Sequence, residues 1–411
     1  MNAKKGSCKM STEKIKEARE KIVAEVMAKT GWNKKKTIAQ IEDARIRTGI
    51  NYTEYNKHDF HKIPIEQQGI AFRRILEKSA KRTLKREKEN TMYLAKIMRE
   101  TGWDYDYAEQ RVLEARARTR CTYKEFFGYR FWELDEKTQG ELFLTHIAKK
   151  VMAKYDVDKQ FISLIMDKGR TNEFFAEYVR RPWCINTKTA KGEFVKTFES
   201  SPKIIYKPSA GMQGHGIQVF STEVMSLESI YEEIKDLPEG VVEEYVVQHP
   251  RMSSLNPSSV NTLRIVSISS KKEPVTVDGK YLDIAYVAIR VGGGGSVVDN
   301  YHSGGMAAGV DLETGCIVTD AINEQGKFFS AHPTTGVVFK GYEVPFFKEA
   351  LEFVKDACIK KDIGGYVGWD VAITETGPVL IEVNQRPGSM LLTAPYISEK
   401  RGMKHMMEKY L

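Results

Sequence analysis

The sequence predicts an α+β region preceded by a duplicated α-helical domain. Three observations lead there: a repeat in register over the first 150 residues, a change of pattern after about residue 155, and glycine-rich loops between short β-branched runs. At 411 residues the chain is too long for one compact core and suits two or three domains. Apolar residues make up 41% and charged residues 29%, which excludes a disordered or collagenous polymer. No apolar run approaches the roughly 18 residues that a membrane helix needs. The basic stretch Met1–Met10 has no apolar segment behind it, so no secretory signal is expected. Cys8, Cys121, Cys184, Cys316 and Cys358 are scattered without a CxxC pair and read as free thiols in a reducing, cytoplasmic setting.

The first expected domain spans 1–150, with repeats at about 26–75 and 97–146. Val26-Met27-Ala28-Lys29-Thr30-Gly31-Trp32 is echoed 71 residues later by Ile97-Met98-Arg99-Glu100-Thr101-Gly102-Trp103. At the same offset Ala44-Arg45 meets Ala115-Arg116, Tyr52 meets Tyr123, Tyr55 meets Phe126, Phe60 meets Phe131 and Gln68 meets Gln139. Each copy reads as helix, turn, helix, aromatic linker, helix. Gly31 and Gly102 stop the first helix, and Asn33 and Asp104 cap the next. Ile38, Ile41 and Ile46, with Ala108, Val112 and Ala115, have the spacing of buried stripes. The aromatics read as core staples, and Glu66 to Arg99 as one long helix. The charge is lopsided: residues 1–150 carry 34 Lys and Arg against 22 Asp and Glu, within a chain of net +8. An anionic partner on this basic domain would explain that; nucleic acid is not expected, and solvated helix faces are the plainer alternative.

The second domain, 155–411, is expected to hold subdomains at about 165–247 and 255–395. Strand patterns at Lys203–Tyr206, Gly240–Glu243, Leu263–Ile268 and Pro378–Ile381 alternate with helical periods at Ser226–Leu237 and Phe346–Ile359. The latter carries Phe346, Phe347, Ala350, Leu351, Val354 and Cys358 on one stripe. Lys207 leaves a strand into a loop containing Gly211, Gly214 and Gly216. Backbone N–H groups of such a loop can face phosphate oxygens while the lysine adds a point charge; a plain glycine-rich hairpin would look the same. Near the carboxyl end, Asp370 sits on a strand, a turn follows at Glu375-Thr376-Gly377, and the return strand ends in Glu382-Val383-Asn384. Positions 382 and 384 share a strand face, and the hairpin brings Asp370 beside them. Two carboxylates and an amide oxygen are hard ligands suited to Mg²⁺.

Together these elements resemble the ATP-grasp superfamily over about residues 165–390. Its fold, two α+β subdomains sandwiching ATP, is what the resemblance implies here. Lys168, in Met166-Asp167-Lys168, and Lys207 match the lysines that reach ATP phosphates. Glu243, Glu244 and Val246 lie in the segment resembling the adenine-holding hinge. Arg264 matches the arginine facing the γ-phosphate or acyl phosphate, and Arg290 is a second candidate for steadying the equatorial oxygens. Asn300, with Asp299 and Gly304-Gly305, matches the loop folded over the reacting centre. Asp370, Glu382 and Asn384 match the metal triad. Gln248-His249-Pro250, Pro257–Arg264, Gly368-Trp369-Asp370 and the Thr-Gly-Trp copies look like the branch associated with sugar transfer in cell-surface polysaccharide loci. The resemblance implies an ATP- and Mg²⁺-dependent ligase joining a small-molecule carboxylate to an amine through an acyl phosphate, with a polysaccharide precursor, amino acid or peptide as substrate. An anionic sugar, lipid-linked or peptide acceptor could sit on the helical domain. A phosphotransferase acting on a sugar-linked hydroxyl, and a nucleotide-binding scaffold, stand as alternatives.

Overall fold

The computed structural model describes residues 12–209, 216–270, 281–293 and 304–411. The chain divides into two compact units, Met1–Met92 and Tyr93–Leu411. In the first unit, helices Thr12–Thr30, Lys34–Thr48 and Tyr52–Lys57 are followed by a 3₁₀ turn at Phe60–Lys62. They bury Val23, Val26, Ile41, Ala44, Ile50, Tyr55 and Phe60. Ile46 does not join that core: it is 81% exposed, and Ala44, three residues after Ile41, takes the inward position. The long helix runs from Ile65 to Thr101, as the uninterrupted pattern required.

The second copy of the repeat belongs to the second unit and repeats the first one's helix stops, caps and glutamine bonds. Gly31 and Gly102 end their helices at φ 70° and 73°. Thr30 and Thr101 each donate to the carbonyl four residues back, at 2.8 and 2.7 Å. Asn33 and Asp104 accept from backbone N–H groups as N-caps. Gln68 donates to the carbonyls of Phe60 and Ile63, and Gln139 to those of Phe131 and Leu134. The second copy then does something the first does not. Its core of Leu94, Val112, Phe126 and Phe131 continues into Ala288, Ala307, Ile322 and Leu391 of the region that follows. The expected boundary near residue 150 therefore falls inside one compact unit.

Two antiparallel sheets build the rest. The strands are β1 (Trp183–Ile185), β2 (Lys203–Pro208), β3 (Gln218–Ser221), β4 (Gly240–Glu244), β5 (Thr262–Ser270), β6 (Tyr281–Val291), β7 (Met306–Val310), β8 (Ala321–Asn323), β9 (Phe328–Phe329), β10 (Gly365–Thr374) and β11 (Gly377–Asn384). The small sheet has the order β1-β4-β2-β3 and the large sheet β11-β10-β5-β6-β7-β8-β9. Helix Phe347–Lys360 contributes Phe347, Ala350, Phe353, Val354, Ala357 and Cys358 to the main core. Phe346 caps that helix and is partly exposed, so Phe353 fills the stripe in its place. Among the described residues, no helix is long and apolar enough to cross a membrane, and Cys121, Cys184, Cys316 and Cys358 are free thiols.

Candidate active site

One row of residues crosses the large sheet. In register, Arg264 on β5 lies opposite Asp370 on β10, and Asp370 lies opposite Glu382 on β11. Asn384, two residues on, stands opposite Gly368. The two-residue turn after Thr374 closes the expected hairpin. Asp370 is buried, and both of its oxygens are engaged: Arg264 donates from Nε at 2.5 Å and Nη2 at 3.0 Å, and Arg290 from Nη1 at 2.7 Å. Asn384 Nδ2 adds a bond of 3.3 Å. Burial alone would raise the Asp370 pKa, but the two guanidiniums outweigh it and hold the carboxyl at about 2. Gly368 makes the row possible. A Cβ there would come within 2.9 Å of Pro387 and 3.2 Å of the Arg264 side chain.

Glu382 has the opposite character. It is exposed to solvent. The protein packed around it and the negative charge of Asp370 raise its pKa, so a further positive charge beside it would be favoured. Glu382, and the Oδ1 of Asn384, keep acceptor atoms without a protein partner among the described residues, whereas Asp370 is already held by arginines. These hard oxygens fit a Mg²⁺ ion.

Two lysines lie at the small sheet, Lys207 on β2 and Lys168 on a helix that reaches the end of that strand. Lys168 opens helix Lys168–Phe174 and donates to the Pro208 carbonyl at 2.9 Å, where β2 enters the glycine loop. Burial lowers its pKa, and Glu382, Lys207 and Glu243 all lie within its electrostatic reach. Lys207 is paired with Glu243 at 2.7 Å. Glu243 is buried at the centre of a hub, also accepting from Asn172 at 2.9 Å and from Arg181 Nε and Nη2 at 2.9 and 2.6 Å. Its pKa is lowered because those cations more than offset burial. Glu244 accepts from Ser201 Oγ at 2.7 Å, and Val246 follows β4 half-buried. Gly216 takes a left-handed φ of 76° against Pro208. Gly211, Gly214 and Asn300 lie outside the described residues.

Arg181 is the residue that sequence reasoning missed. It bonds Glu243 of the small sheet and, from Nη1, the Leu380 carbonyl of β11 at 2.7 Å, so one buried side chain ties both sheets together. Only the pair Arg180-Arg181 before a strand could have flagged it. The strings around Gln248 and Asn261 have a structural role. Asn261 Nδ2 donates to the carbonyls of Met252 and Asn256, and Gln248 Nε2 to those of Asn256 and Ser259, pinning the chain where β5 begins.

Two antiparallel sheets tied by Arg181, with Lys168 within electrostatic reach of Glu382 on the large one, have the arrangement of an ATP-grasp core, and the family model for sugar-transfer-associated ATP-grasp proteins matches residues 157–410. The chain belongs to the sugar-transfer-associated ATP-grasp family. A search of curated proteins finds no match. Among solved structures, this ATP-grasp chain is similar to D-alanyl-alanine synthetase A from Vibrio cholerae, with 14% identity and a TM-score of 0.36, covering 60% of this chain and 64% of that one. It is also similar to D-alanine–D-alanine ligase from Bacillus anthracis (15% identity, 64% and 74% covered, TM-score 0.35). A D-cycloserine synthetase is a third (11% identity, 62% and 76% covered, TM-score 0.36). The chain thus spans a little under two thirds of the length of the Vibrio cholerae protein.

Proposed function

We propose that this chain is an ATP-dependent carboxylate–amine ligase acting on a saccharide-linked or amino-acid-type substrate. The observation that carries the reading is the row Arg264–Asp370–Glu382 within electrostatic reach of Lys168. Lys168 and Lys207 bind the triphosphate, and Glu243 and Arg181 hold Lys207 at the mouth of the glycine loop. Glu244 and Val246 line the route to the adenine, with buried Glu243 behind them. Asp370, Glu382 and Asn384 would hold Mg²⁺, which when bound supplies positive charge to the phosphate oxygens. Asp370 also fixes the two guanidiniums of Arg264 and Arg290, so the charge that meets the transferred phosphoryl group is in place before reaction. A substrate carboxylate oxygen attacks the γ-phosphorus, the bond to the β-phosphate oxygen breaks and ADP leaves. An amine then attacks the acyl carbon of the resulting acyl phosphate, phosphate departs, and the amine loses a proton to water. The family resemblance gives Asn300 a catalytic role in this reaction. The acceptor half of the reaction falls to the basic amino-terminal helices.

The test is transfer of ¹⁸O from a labelled carboxylate into released phosphate, in the presence of ATP, Mg²⁺ and an amine. Uronic acids and amino acids are the first substrates to try. Label in phosphate together with ADP supports the ligase. ADP without free phosphate would mean transfer to a hydroxyl, and no ADP with any pair would leave a nucleotide-binding scaffold.

A further inference from the structure

The charge asymmetry has a sharper location than the first 150 residues. Met1–Met92 carries 23 Lys and Arg against 12 Asp and Glu, a net +11, so the remaining chain is at −3. Eight of these 23 cations lie on the long helix, all between Arg73 and Lys88. Every residue from Leu76 to Glu89 is exposed, a bare helical rod where tertiary packing supplies no support. Arg74, Lys78, Lys81, Lys85 and Lys88 follow one another at intervals of four, three, four and three residues. That spacing places all five on one face. At about 1.5 Å rise per residue they form a line of about 21 Å, with one positive charge every 5 Å or so. None of the five has an ion-pair partner among the described residues. Glu77, four residues before Lys81, and Glu89, four after Lys85, border the line without closing an ion pair to it. The five cations therefore outnumber the acids beside them and are relieved by an anion laid along the face.

We infer that this line is a binding surface for a linear acidic polysaccharide, a chain bearing one carboxylate per sugar. The inference extends the acceptor half of the proposed function. Three features select this occupant. The family to which the chain belongs is associated with sugar transfer. No aromatic side chain stands between Phe72 and Tyr93 on which bases could stack, which disfavours a single-stranded nucleic acid. The rod's apolar residues Leu76, Ala80 and Leu84 share their face with Glu87, so there is no clean apolar stripe to enter a bilayer. Regularly spaced carboxylates match regularly spaced ammonium and guanidinium groups without either.

The experiment is fluorescence anisotropy with the full chain, without ATP, using labelled oligogalacturonate long enough to span the line. Unlabelled neutral oligosaccharide, oligo(dT) and phosphatidylglycerol–phosphatidylcholine vesicles serve as competitors. Binding is expected to weaken about tenfold or more between 50 and 200 mM salt. Replacing Arg74, Lys78, Lys81, Lys85 and Lys88 together by Gln should weaken it at least as much. Lys→Arg at the four lysines should preserve binding, and Arg73→Gln with Arg86→Gln, off the line, should change it less than threefold. Circular dichroism on each variant checks that the helix persists. Absence of oligogalacturonate binding, an equal loss from the off-line pair, or tighter binding of oligo(dT) or vesicles would overturn the inference. Because no turnover is measured, it can fail while the ligase reading stands, and the ligase reading can fail while it stands.

Discussion

At the scale of single residues, the site runs on buried ion pairs whose partners sit on different elements. Asp370 is held at about 2 by Arg264 and Arg290, so its contribution to stability is fully present above the ordinary aspartate value of about 3.9. It is lost as pH falls through about 2. Asp370→Asn should therefore flatten the stability profile between about pH 4 and 2. At neutral pH it should cost about 3–5 kcal/mol, because two guanidiniums lose their counter-charge; denaturant melts across pH check both. Glu243 follows the same sign, its depressed pKa giving stability at neutral pH that fades in acid. Arg181→Ala should leave Glu243 with Lys207 as its one paired cation, beside the amide of Asn172, costing a similar about 3–5 kcal/mol. It should also raise the KM for ATP, since Lys207 is then drawn more tightly away from phosphate; an unchanged KM would separate Arg181 from the nucleotide. Glu382→Gln removes an open oxygen ligand and should cut ATP turnover at least about 100-fold at saturating Mg²⁺, with near-normal activity counting against its assignment.

The repeated helices show how one local design tolerates different surroundings. In the first copy Asp59 binds Lys29 at 2.9 Å and Lys62 at 3.1 Å. At the same three positions of the second copy stand Arg130, Glu100 and Glu133, with every sign exchanged, and Arg130 is paired with Glu133. The backbone asks only for complementary charge there, with Asp59 and Arg130 both at a left-handed φ near 45° (46° and 44°). The glycine stops are the stricter requirement. Gly31→Ala and Gly102→Ala each force a Cβ into the left-handed region and should cost about 1–2 kcal/mol, although nothing lies near either position. Because the two glycines lie in different compact units, each loss should appear in the unfolding of its own unit, followed by amide hydrogen exchange.

Across the whole molecule, the two units are joined by a helix whose middle is exposed on all sides. A helix without packing opens more readily than one docked on a core. Limited trypsin should therefore cut first between Arg73 and Lys88, releasing a carboxyl-terminal fragment that still binds ATP, because the second repeat copy shares its core with the large sheet. Initial cleavage within β5, β6 or β10 would contradict this division of the chain.

What the sequence determined by itself was local or periodic. The 71-residue repeat, its glycine stops and caps, the long helix and the β10–β11 hairpin depend on neighbours within a few turns or a single strand pair, where side-chain spacing has a direct geometric reading. The lysines and the acidic hairpin were legible because their residue types sit beside turn signals. Ile46 and Phe346 misled because a helical stripe several residues wide leaves its edge positions to be decided by whatever packs against them. Tertiary structure alone decided the rest. It joined the second repeat copy to the sheets, gave Asp370 two arginines from β5 and β6, and made Arg181 the tie between sheets. Such pairings join residues as much as 199 positions apart, and no periodicity encodes them; desolvation makes each buried charge require a partner, but only the packed fold determines which one is within reach.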